Sequence, residues 1–147
     1  MEKNKLLLVI ALLFVSHFSN ACCKGVMPKK HLLIFVSSSM PLVSLRKYAA
    51  EAEKYSGQLI IKGLVESSFI KTKNFIQSIS STVELQINDG EFERFGVTSV
   101  PTIVLVKDQE DLMQNSLIFD KIVGNISLQA ALELFKKQGE VLNAAFY

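Results

Sequence analysis

Apolar residues recur along this chain in different rhythms, and each rhythm implies a different element. Leu32 to Val36 is an unbroken apolar run, the pattern of a strand covered on both faces and therefore central in a sheet. Leu42, Leu45, Ala49 and Ala52 then return at helical spacing and predict a helix over 42–55. Ser39 is positioned to cap it, Pro41 suits a first turn whose N–H would have no partner, and Gly57 supplies the stop. A second short apolar run, Gln58 to Gly63, completes a strand, helix, strand unit, which implies a parallel pair. Ser67 or Ser68 caps a weaker helix through Ile79, either an insertion or a second crossover helix. Phe69, Ile76 and Ile79 are expected to face inward, with Lys71, Lys73 and Gln77 outward.

Val83 to Ile87 alternates apolar and polar residues, as a strand with one exposed face does. Asn88-Asp89 opens a short helix that Gly96 ends. Thr102 to Val106 and Leu117 to Val123 read as an antiparallel hairpin across the charged loop Lys107 to Gln114. Gly124-Asn125 turns the chain, and Ser127 caps a last helix with Leu128, Ala131, Leu132 and Phe135 inward and Gly139 at its end. The order is βαβ followed by ββα, an α/β class with a mixed sheet.

The N-terminus changes the picture of where the chain works. A short charged start is followed by the apolar run Leu6 to Val15 and by the small residues Ser19-Asn20-Ala21, the layout of a secretory signal peptide cleaved after Ala21. The run is too short to span a bilayer, which takes about 20 apolar residues. The expected division is a signal peptide over 1–21, a lead-in over 22–30, one domain over 31–139 and a C-terminal tail over 140–147. Ser19-Asn20-Ala21-Cys22 also resembles a degenerate lipoprotein signal, and lipidation of Cys22 is the one route by which the mature chain would meet a membrane.

Charge excludes one class of partner. The sequence holds 16 Lys+Arg against 14 Asp+Glu, with the basic residues scattered, so no nucleic-acid footprint is present. Cys22 and Cys23 are adjacent, a spacing that strains an intrachain disulfide, so they are expected to pair with another chain or stay free. Cys22, Cys23, Met27 and His31 form a soft donor set for copper, but the spacing is not diagnostic and no metal site or cofactor is assigned. A serine nucleophile among Ser37, Ser38 and Ser39 would need a base. His31, the sole histidine of the mature chain, stands about 17 Å away along an extended strand.

Ser37-Ser38-Ser39-Met40-Pro41 after the first strand, and Ser99-Val100-Pro101-Thr102 before a later one, resemble the two turns that build a thioredoxin active site. The resemblance implies a thioredoxin-like fold, a central mixed sheet flanked by helices, lacking the C-x-x-C pair. The redox positions would fall at Met40 and Val43, neither of which can supply a thiolate. It also raises the expectation of a cis peptide at Val100-Pro101. A finer resemblance rests on Ile34-Phe35-Val36-Ser37-Ser38-Ser39-Met40-Pro41, Ile60-Ile61-Lys62-Gly63-Leu64, Phe95-Gly96-Val97, Val100-Pro101-Thr102 and Val123-Gly124-Asn125-Ile126-Ser127-Leu128. Over about residues 31–135 these resemble the TrbC-type pilus-assembly proteins of F-like conjugative transfer systems.

That resemblance implies a periplasmic, non-enzymatic adaptor or chaperone of a type IV secretion apparatus, acting beside a TraW-type assembly protein and, through it, on pilin. The partner-binding residues implied are Ser39, Met40, Pro41, Val100 and Pro101, with Met40 expected to stay exposed as an adaptable apolar contact. The competing readings are a periplasmic thiol-disulfide exchange protein using Cys22 and Cys23, and a free-standing lipoprotein chaperone.

Overall fold

The computed structural model describes residues 30–80, 82–107 and 117–143. The leader, the cysteine pair, most of the hairpin loop and the last four residues lie outside them. Five strands form one sheet in the order β3-β2-β1-β4-β5. The strands are β1 (Lys30–Val36), β2 (Gln58–Ile61), β3 (Leu85–Ile87), β4 (Thr102–Lys107) and β5 (Phe119–Val123). β1 pairs in parallel with β2 and antiparallel with β4, β2 in parallel with β3, and β4 antiparallel with β5. The continuous apolar run therefore occupies the centre, where Ile34 and Phe35 are both fully buried.

The sheet separates two cores. On one face β1, β2 and β4 contribute Ile34, Val36, Leu59, Ile61 and Ile103. Against them pack α1 (Leu42–Tyr55), α2 (Phe69–Ile79), α4 (Leu128–Gln138) and α5 (Glu140–Asn143). On the other face Phe35 meets Phe92 of α3 (Asp89–Arg94) edge-on at 4.8 Å between ring centroids, and Phe95 meets Phe119 at 5.0 Å. Such pairs add to simple area burial.

Caps at several helix starts follow the expected chemistry. Ser68 accepts from the Lys71 N–H, Asn88 from Glu91 and Ser127 from Ala130. The start of α1 differs: Pro41 occupies the cap position, no side chain caps it, and Ser39 is hydrogen-bonded to Ser37 instead. Its end differs too. Ser56, not Gly57, takes the left-handed conformation, and Gly57 is required for space, since a Cβ there would lie 2.9 Å from Ile34 Cδ1.

Inward and outward faces also shift at some positions. Phe69 is 78% exposed, and the buried positions of α2 are Thr72 and Ile79. The Thr72 hydroxyl donates to the Ser68 carbonyl and accepts the Val65 N–H, tying the 3-10 turn Val65–Ser67 to α2. On α1, Leu42 leaves the apolar stripe and Tyr48 joins it. Residues 140–143, expected as the start of a tail, instead form α5 with Val141 fully buried, because the Asp120 carboxylate accepts the N–H groups of Glu140 and Val141. Among the described residues no helix is long and apolar enough to cross a membrane.

Candidate functional site

The site is built where β1 and β2 end side by side. Their register pairs Val36 with Ile61, so the segments that follow, Ser37 onward and Lys62 onward, leave the sheet as neighbours. β4 enters from the opposite direction with Thr102 beside Phe35, which brings the residues just before it level with the Ser37 turn. The Val100–Pro101 peptide there is cis. Thr102 Oγ1 donates to the Ser99 carbonyl at 2.6 Å, and the Pro101 carbonyl accepts the Gly124 N–H at 2.9 Å. Among the described residues no hydrogen bond engages the main chain of Val100.

The turn after β1 is closed by the Met40 N–H donating to the Ser37 carbonyl at 3.1 Å. The Pro41 carbonyl then accepts from Ser44 and Leu45, starting α1. Ser39 and Pro41 are exposed. Met40, expected to stand clear of the protein, is half-buried and packs on the α1-side core, because the turn folds its side chain back toward the helix. The exposed apolar surface at this position is supplied by the next residues, Leu42 at 37% and Val43 at 80% exposure. Val100 is half-buried against the Phe92-side core. The five residues singled out from sequence therefore share one end of the sheet, with Met40 and Val100 anchored on its opposite faces.

Between the two turns lies a cleft of about 460 Å³, within the range of ligand-binding clefts. Val36, Ser37 and Ser38 line one side, Ile61, Lys62, Gly63 and Val65 another, and Val97 to Val100 a third, with Phe92 also lining it. Sequence reading chose Val100 but missed Lys62, Gly63 and Val65. The available signal was that Lys62-Gly63 follows a strand parallel to β1, and the carboxyl ends of neighbouring parallel strands are where open sheets place ligands. Gly63 has φ +64, a conformation L side chains rarely adopt, and its N–H donates to Asp89 Oδ1 at 2.6 Å.

The chemistry this arrangement offers is limited. The described residues include no cysteine, and they hold no cluster of three His, Cys, Asp or Glu suited to a metal. What the described residues offer is aliphatic surface at the half-buried Val65, Val97 and Val100, a rim of hydroxyls, one lysine and an unengaged stretch of main chain.

Comparison with known proteins places this geometry. Residues 34–135 match the profile of the type-F conjugative transfer system pilin assembly protein. The chain is similar to the periplasmic protein TrbC of Escherichia coli K12, 26% identical over 121 residues that cover 80% of this chain and 53% of that protein. It thus spans about half the length of that relative. Among solved structures it is similar in fold to StoA from Bacillus subtilis, with a TM-score of 0.51 and 18% identity over 72% of this chain and 81% of the other.

Proposed function

The chain belongs to the type-F conjugative transfer system pilin assembly family, and from that premise we propose that it is an exported, non-catalytic adaptor that docks a partner protein at the vestigial thioredoxin edge. The partner on this reading is a TraW-type assembly protein, through which the chain acts on pilin, and the compartment is the periplasm, where its E. coli relative is found. The docking residues are Ser39, Met40, Pro41, Val100 and Pro101, with Leu42 and Val43 added by their exposure.

One observation carries the reading. Val43, which stands in the first turn of α1 where a redox cysteine would stand, is an 80% exposed aliphatic side chain. An exposed valine there cannot attack a disulfide, whereas apolar surface grouped at a strand end is what interaction sites are made of. At the same end of the sheet the unengaged main chain of Val100 can pair with an extended segment, the way peptides add to sheet edges.

The test is calorimetric titration of the full mature chain with the TraW-type protein of the same transfer system, accompanied by a disulfide-reduction assay. The expected result is binding that Val43→Asp weakens about tenfold or more, as loss of a central contact does, and no turnover of disulfide. Undiminished binding by a folded Val43→Asp protein, or turnover that depends on Cys22 and Cys23, would overturn the proposal.

A further inference from the structure

We infer that the cleft beneath the Val100 turn seats an apolar side chain of an extended partner segment, and that a carboxylate next to that side chain in the segment pairs with Lys62. The inference rests on the docking reading above and specifies what the docked segment must look like.

The argument begins with where charge is and is not satisfied. Among the described residues Lys62 is the one charged residue lining the cleft, and it is exposed. Among the described residues no ion pair or hydrogen bond engages its ammonium group. Of the acidic groups on the neighbouring segments, Glu66 pairs with Lys71, while Asp89 Oδ1 accepts the Gly63 N–H and keeps its charge. An unmatched cation at the mouth of a cleft favours an anionic ligand over a neutral or basic one.

The lining sets the second requirement. Val65 and Val97, half-buried above the buried Val36, Ile61 and Phe92, offer aliphatic surface beside the hydroxyls of the rim, so an apolar side chain that enters is covered there. The volume of about 460 Å³ exceeds one side chain and accommodates a short stretch of chain around it. The third requirement comes from the unengaged Val100 main chain, which suits an extended backbone. A free small carboxylate would satisfy Lys62 but leave the aliphatic surface and the Val100 main chain uncovered. A peptide of apolar and acidic residues meets all three.

The probe is a positional-scanning library of blocked hexapeptides, screened against the full mature chain, with affinities of the selected peptides measured by fluorescence anisotropy. The wild type is expected to select Leu, Ile, Val or Phe next to Asp or Glu. Lys62→Gln should weaken the best acidic peptide about five- to tenfold while leaving its Asn or Gln counterpart unchanged, and Lys62→Glu should shift selection to Lys and Arg. Half-molar salt should remove most of the acidic preference, since the pair is exposed. Because Lys62 is exposed, both variants should keep the wild-type melting temperature. An unchanged acidic preference in Lys62→Glu overturns this inference and leaves the docking reading standing, provided that Val43→Asp still weakens the TraW-type protein. Absence of any apolar-acidic selection by the folded wild type also overturns it. Retained TraW-type binding in Val43→Asp removes the docking reading itself.

Discussion

Glu51, in the middle of α1, reaches the first residue of α4: its Oε2 accepts the Leu128 N–H at 2.6 Å. Ser127 accepts the Ala130 N–H in the same turn, so two of the donors that a helix start leaves without partners are satisfied, one of them from a distant element. The carboxylate also stands where the helix dipole favours negative charge. Leu128 and Ala131 behind it are fully buried, so this one contact fixes how α4 seats against α1. Glu51→Ala should cost about 1.5–3 kcal/mol by chemical denaturation, the range for a hydrogen bond to a charged group. A change below experimental error would mean that Leu128 is held by packing alone.

Tyr48 ties the same helix to the turn before α4. Its one hydroxyl proton is shared between two acceptors, Asn125 Oδ1 at 3.2 Å and the Ile126 carbonyl at 3.1 Å, and the residue is only 3% exposed. Burial pushes its pKa up from the ordinary value, the bond to Ile126 opposes this, and the charge of Glu51 adds to the rise. A group whose folded pKa is raised stabilises fully below its unfolded pKa, about 10, and that contribution is lost as pH rises through the folded value. Urea midpoints should therefore fall above about pH 10. Tyr48→Phe should lose about 1 kcal/mol at pH 7 and show a shallower alkaline decline. An equal decline in both proteins would assign the alkaline loss to other groups.

How much of this was legible in the sequence depends on what each residue answers to. The β1 run, the parallel β2 and the β4–β5 hairpin follow from local apolar rhythm, and the rhythm is decided by burial on a regular backbone. Ser68, Asn88 and Ser127 cap because a side chain one turn away is all that capping needs. Ser39 does not cap, because the helix starts later, with Pro41 in the cap position, and the Ser39 hydroxyl is hydrogen-bonded to that of Ser37. Phe69 was misassigned because the inward positions of α2 are taken by Ile79 and by Thr72, a polar residue that is buried with its hydroxyl satisfied by Ser68 and Val65, while Phe69 stays outward. The cleft was missed at Lys62 and Gly63 because neither residue type signals a site by itself; their place after a strand parallel to β1 was the signal, and the β1–β2 register brings them into one cleft with Val100.

Gly57 exposes a constraint that propensity does not contain. Its N–H donates to the Ala52 carbonyl at 2.8 Å, and its α-carbon lies so near Ile34 that a methyl group would sit 2.9 Å from Cδ1 and 3.3 Å from Leu32 Cδ2. Ile34 is fully buried in the central strand and has little room to yield. Gly57→Ala should destabilise by about 1–3 kcal/mol, as overpacking does. A companion Ile34→Val change should recover part of that loss, because it removes the Cδ1 atom; no recovery would place the strain elsewhere.

Met40 and Val43 should separate folding from docking. Met40 is half-buried on the α1-side core, so Met40→Lys brings a charge against apolar surface and should cost about 1–3 kcal/mol. Val43 is 80% exposed, so Val43→Lys should change stability by less than about 0.5 kcal/mol. If the edge docks a partner, both variants lose affinity, but only Met40→Lys also loses stability. Paired denaturation and titration curves for the two variants decide the matter. A Val43→Lys protein that unfolds early would show that the first turn of α1 is part of the core. One that folds and binds like the wild type would move the interface away from the position a thioredoxin uses for its chemistry.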